Sequence, residues 1–159
     1  MKLLSFIQDK FVIGVGVGFF VISAAWMIIE AISRQFFSKS FAISEEVVVF
    51  SLVWAILLTL GASGKKGFHV SLDLFTSKFR PRFLKLSNIF TCIVGICYAG
   101  FIMFAGIEYV QHLLRTGITS HSPLRLPMSY VFLAVPIGMF FLAMYYLQSF
   151  IKEIKSKGE

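Results

Sequence analysis

Charge is scarce in this chain. Only 14% of its 159 residues are Asp, Glu, Lys or Arg, against roughly 25% in a soluble domain. Apolar residues make up 57% and the mean hydropathy is +0.82, a balance that excludes an ordinary water-soluble fold and points to an integral membrane protein. Acids are scarcer than bases, with 8 Asp and Glu against 15 Lys and Arg. Cysteine is nearly absent: Cys92 and Cys97 lie five positions apart on a predicted helix, so they face different ways and form neither a pair nor a CxxC site. No glycine-rich phosphate loop, nucleophile elbow or metal-ligand cluster is present, so an enzyme is not expected and neither is a cofactor. The three histidines, His69, His112 and His121, all fall at or beyond predicted membrane boundaries. That disfavours a haem bundle, which needs axial histidines within its crossings.

What is present is long apolar runs. A crossing helix needs about 20 largely apolar residues, because the hydrocarbon core is about 30 Å thick and a helix rises about 1.5 Å per residue. Four stretches satisfy this, at about 11–33, 45–62, 84–114 and 128–150. The expected fold class is therefore all-α, a single four-helix membrane domain. A short amphipathic helix at about 70–79 is expected along the surface between the second and third crossings. The net charge of +7 is distributed by position: eleven of the fifteen cations lie in the N-terminal lead, the 63–85 connection and the C-terminal tail, and four in the other two connections. The positive-inside rule then places both termini in the cytoplasm. Basicity reads as topology and contact with membrane lipid, not as binding of nucleic acid.

Local features refine this outline. In the first crossing Gly14 and Gly18 offer a small-residue face for helix packing, and Glu30 can pair with Arg34 four residues on. Ser44 is placed as an N-cap, with Glu45 and Glu46 at the positive end of the helix dipole. Adjacent acids point about 100° apart, so at least one of them has a further task, such as a partner contact. Trp54, at mid-span rather than in an interfacial belt, is expected to pack on another helix. His69 and Asp73 can share one face of the surface helix, which Pro81 ends. The third crossing is long enough to tilt or project. Pro127 suits the first turn of the last helix, and Pro136 should kink it.

The organising stretch runs through SEE, VW, LGAS and KKGFHVSLD, at Glu45, Glu46, Trp54, Gly61, Ala62, Gly67, His69 and Asp73. A second runs through GITSHSPLRLPMSYVFLAVPIG, at Gly117, Ser120, Ser122, Pro127, Pro136 and Gly138. In order and spacing they resemble the small membrane subunit of tripartite ATP-independent periplasmic (TRAP) transporters. Ser129 and Tyr130 depart from that pattern, where relatives commonly carry a tryptophan.

The resemblance implies a subunit of the bacterial inner membrane that braces the static scaffold of a large membrane subunit. The large subunit would carry the substrate and sodium sites, and a periplasmic substrate-binding protein would deliver organic anions such as C4-dicarboxylates or sialic acid. Unlike fused forms, the chain stops soon after its fourth crossing, so the large subunit is expected as a separate chain. Glu45, Glu46, Trp54, His69, Asp73, Arg125 and Pro127 are the candidate residues for partner contact or helix anchoring. The alternative is a self-contained small exporter or channel working as a homo-oligomer.

Overall fold

A computed structural model describes residues 12–37, 41, 43–63, 81–120, 122 and 125–155. The expected surface helix at 70–79, with His69 and Asp73, lies outside the described residues. Those described are helical apart from short connections and one isolated bridge. The helices are α1 (Ile13–Phe37), α2 (Ser44–Ser63), α3 (Pro81–Thr116), α4 (Met128–Phe132) and α5 (Ala134–Lys155). Among the described residues three helical stretches are long and apolar enough to cross a membrane: Ile13–Phe37, Leu86–Thr116 and Met128–Lys155. In hydrocarbon a chain must satisfy its own backbone, which is why even glycine- and valine-rich runs such as IGVGVGFFV stay helical.

The ends of these helices follow from local chemistry. Pro81 opens α3, where its missing N–H leaves no carbonyl unpaired. At 36 residues α3 is about 54 Å long, well beyond the hydrocarbon thickness. It stops at Gly117, whose φ of 63° is left-handed and whose N–H donates to the Leu113 carbonyl at 3.0 Å. Between α4 and α5, Leu133 keeps helical dihedrals (φ −61°, ψ −23°), and what Pro136 interrupts there is the hydrogen-bond ladder. A residue at 136 would normally donate to the carbonyl of Phe132, and proline cannot. The next bond, from Ile137 N–H to the Leu133 carbonyl, is stretched to 3.4 Å.

The long helices pack in a row: α1 on α2, α2 on α5, and α5 on α3. Ala99 of α3 is fully buried against Met139 and Leu142 of α5, at the centre of the core. Glycines mark each close approach. A Cβ on Gly16 would lie 2.6 Å from the Thr59 methyl, on Gly138 2.6 Å from the Leu57 carbonyl oxygen, and on Gly95 2.6 Å from the Tyr146 ring. Within this chain the small-residue contact of α1 is made by Gly16, while an added Cβ at Gly14 or Gly18 would meet nothing within 4 Å. Gly95 and Ala99 lie on the face that α3 turns to α5. Cys92 is buried and Cys97 exposed, on different sides of α3. The row carries large exposed apolar residues, among them Phe20, Ile28, Phe101 and Phe104.

Candidate partner-contact site

The first turn of α2 is the polar junction of the molecule. It lies at the end of the row where α1 and α3 finish and α2 and α4 begin. The chain enters α2 with the Ile43 carbonyl accepting from Val47 N–H at 3.1 Å, so Ile43 occupies the capping position and Ser44 is the first helical residue. The Ser44 hydroxyl turns to α1 instead of capping α2. It donates to Glu30 Oε2 at 2.7 Å and accepts from Trp26 Nε1 at 3.1 Å.

Glu30 is buried, and its carboxylate gathers donors from three directions. Arg34 Nε donates to Oε1 at 3.2 Å, forming the pair expected from the i, i+4 spacing. Phe41 N–H donates to Oε2 at 3.3 Å, alongside Ser44. One carboxylate therefore joins the end of α1, the connection after it and the start of α2. Further along the same seam Ser23 Oγ donates to the Val48 carbonyl at 3.2 Å, and Trp54 stacks on Phe19 with centroids 6.0 Å apart.

Two positions beyond Ser44, α2 reaches the other way. Glu46 Oε2 accepts from Ser120 Oγ at 3.0 Å, a residue in the connection between α3 and α4. Ser120 is buried, and it organises that connection. Its N–H donates to the Leu126 carbonyl at 2.9 Å, while Leu126 N–H donates to its hydroxyl at 3.2 Å. Outside this pair Thr119 bridges Pro127, and Met128 N–H donates to the Ile118 carbonyl at 3.1 Å. Inside it Arg125 N–H donates to the Ser122 carbonyl at 3.1 Å. Arg125 has a φ of 44°, the one non-glycine residue at positive φ among those described, and it is exposed.

The adjacent acids therefore separate as their 100° offset requires. Glu46 holds the α3–α4 connection, and Glu45 between the two anchors is exposed. Pro127 serves as the residue before α4, its carbonyl accepting from Tyr130 N–H at 3.2 Å. Of the sequence-nominated residues, the structure gathers Glu45, Glu46, Arg125 and Pro127 at this end, places Trp54 in the α1–α2 seam, and does not describe His69 or Asp73. Sequence reasoning misses the roles of Ser44, Trp26 and Ser120. Ser120 is visible as part of a recurring pattern, but a serine in a loop gives no sign of its partner 74 positions away. At the opposite end Asn88 Nδ2 donates to Glu153 Oε1 at 3.3 Å, linking the start of α3 to the end of α5. Among the described residues no group of His, Cys, Asp and Glu could hold a metal, and every buried side-chain nitrogen or oxygen has a partner.

Two comparisons bear on this arrangement. A family model described as tripartite ATP-independent periplasmic transporters, DctQ component, matches residues 14–156. The C4-dicarboxylate TRAP transporter small permease protein DctQ of Rhodobacter capsulatus is 25% identical over 105 residues, covering 66% of this chain and 46% of that protein. The matched region spans about half the length of that relative.

Proposed function

The chain belongs to the DctQ component family of tripartite ATP-independent periplasmic transporters, and from that membership we propose that it braces a separate large membrane subunit during ion-gradient-driven uptake of an organic anion. It is a multi-pass protein of the bacterial inner membrane. In this reading a periplasmic binding protein delivers the substrate, of the C4-dicarboxylate or sialic acid class, and the sodium and substrate sites lie in the large subunit. The whole chain acts as one four-helix domain, α2 supplying the remaining crossing. Both termini face the cytoplasm, and the junction at the start of α2 faces the periplasm. Lys152 and Lys155 in the last turn of α5 support that orientation, since they lie at the end of the row opposite Glu45 and Glu46.

The observation that carries the bracing role is the use made of polar groups. Among the described residues the buried Ser23, Glu30, Ser44 and Ser120 each join one stretch of this chain to another. A carrier needs polar groups aimed into a pathway, and an intramembrane carboxylate is by default a candidate for that task. Glu30 instead commits its oxygens to Ser44, Phe41 and Arg34.

Reconstitution tests the reading. Liposomes holding this chain alone should move no anion, whereas the chain with the large subunit and the binding protein should take it up along a sodium gradient. Solute movement by the chain alone would favour the exporter or channel alternative and end this proposal. Glu45, exposed and held between two anchored neighbours, is the contact to the large subunit. Glu45→Ala should weaken co-purification of the two subunits about tenfold, equivalent to ~1.4 kcal/mol, and unchanged recovery would remove Glu45 from the interface.

A further inference from the structure

The φ of 44° at Arg125 is strained backbone at an exposed position. Left-handed backbone is unfavourable for any residue with a Cβ, and glycine or asparagine would sit there more easily. Such outliers persist where the surroundings over-determine them, and here they do. Arg125 is closed from one side by its own N–H on the Ser122 carbonyl, and from the other by Leu126, bonded twice to Ser120. Ser120 is in turn tied to Glu46 at the head of α2. An exposed guanidinium is thus carried on a backbone clamped to a helix.

We propose that Arg125 is a recognition residue whose guanidinium pairs with a carboxylate on the soluble partner that docks at this end, and that Ser120 and Glu46 are its positioning residues. The proposal rests on the assignment of this end to the periplasm and on delivery by a binding protein. A planar, forked donor suits a carboxylate held in one orientation. A lipid phosphate, mobile in its headgroup layer, requires no such fixed direction, so a clamped backbone favours a folded protein as the source of the anion.

Arg125→Gly separates backbone from side chain, because glycine accepts this φ without strain while the guanidinium is lost. In the reconstituted complex of both membrane subunits, the concentration of binding protein giving half-maximal uptake should rise at least tenfold. The melting temperature of the complex should hold or rise. Arg125→Lys should recover only part of the affinity, a point charge replacing a fork. Glu46→Ala should weaken docking in the same direction, and Glu46→Gln, which keeps an acceptor for Ser120, should restore most of it.

An unchanged half-maximal concentration for Arg125→Gly, in a complex whose wild-type uptake saturates with binding protein, overturns the inference and leaves the transport reading standing. Wild-type uptake that ignores the binding protein overturns both. A wild-type affinity that depends on anionic lipid in the vesicles, with the dependence abolished by Arg125→Gly, assigns the guanidinium to phosphate and also overturns it.

Discussion

Glu30→Ala should destabilise the chain by about 3 kcal/mol, since hydrogen bonds to a charged group are worth about 1.5–3 kcal/mol each and stranded buried donors cost a further desolvation penalty. Two of its donors are tied to the connection and helix that follow α1: the Ser44 hydroxyl at 2.7 Å and Phe41 N–H at 3.3 Å. Without the carboxylate, Ser44 keeps Trp26 as a donor but loses its acceptor, in surroundings that offer little water. The expected shift in melting temperature of the detergent-solubilised protein is a fall of roughly 6–12 °C, at about 2–4 °C per kcal/mol for a chain of this size. Arg34→Ala should cost less than ~1 kcal/mol, because the arginine side chain is 57% exposed and an exposed ion pair contributes little. The contrast carries the argument: if the two variants melt together, Glu30 is only the partner of Arg34, and the join between α1 and α2 lies elsewhere.

Sequence legibility divides along the same physical line. Helix existence is readable wherever about 20 apolar residues run together, because the bilayer demands length and internal hydrogen bonding before anything else. The Glu30–Arg34 pair is readable because i, i+4 neighbours meet on any helix. The faces of the helices are not. α2 and α3 are apolar nearly all round, so periodicity holds almost no information on which side meets a neighbour. GVGVG offers three glycines at two-residue spacing, and nothing local selects Gly16 over Gly14 and Gly18. A serine before two acids usually caps the helix, and Ser44 does not. The competing claim comes from Glu30, fourteen positions earlier, and only the packing of α1 on α2 brings it within reach. Likewise two acids at one helix start are electrostatically equivalent in sequence. Their division into an inward Glu46 and an exposed Glu45 follows from where Ser120 lies.

Gly138→Ala should split the row at its middle. A Cβ there would lie 2.6 Å from the Leu57 carbonyl oxygen and 2.9 Å from its carbon. These are backbone atoms of a helix and cannot rotate away as a side chain does. Relief requires α2 and α5 to separate, and that contact joins the α1–α2 pair to the α5–α3 pair. Overpacking of this kind costs about 1–3 kcal/mol and occasionally more, which the better helix propensity of alanine offsets by only ~1 kcal/mol. Gly14→Ala and Gly18→Ala make the same chemical change where a Cβ meets nothing within 4 Å, so in the isolated chain they should raise stability by up to ~1 kcal/mol each. Opposite signs in thermal melts would establish the packing register, and a neutral Gly138→Ala would refute the close approach of α2 to α5. The consequence reaches the junction as well. Movement of α2 away from α5 carries Glu46 away from Ser120, so Gly138→Ala, lying near the middle of the row, should weaken docking at its end in the manner of Glu46→Ala. A proline or bulky residue is unnecessary for that effect; one methyl group against a carbonyl oxygen suffices.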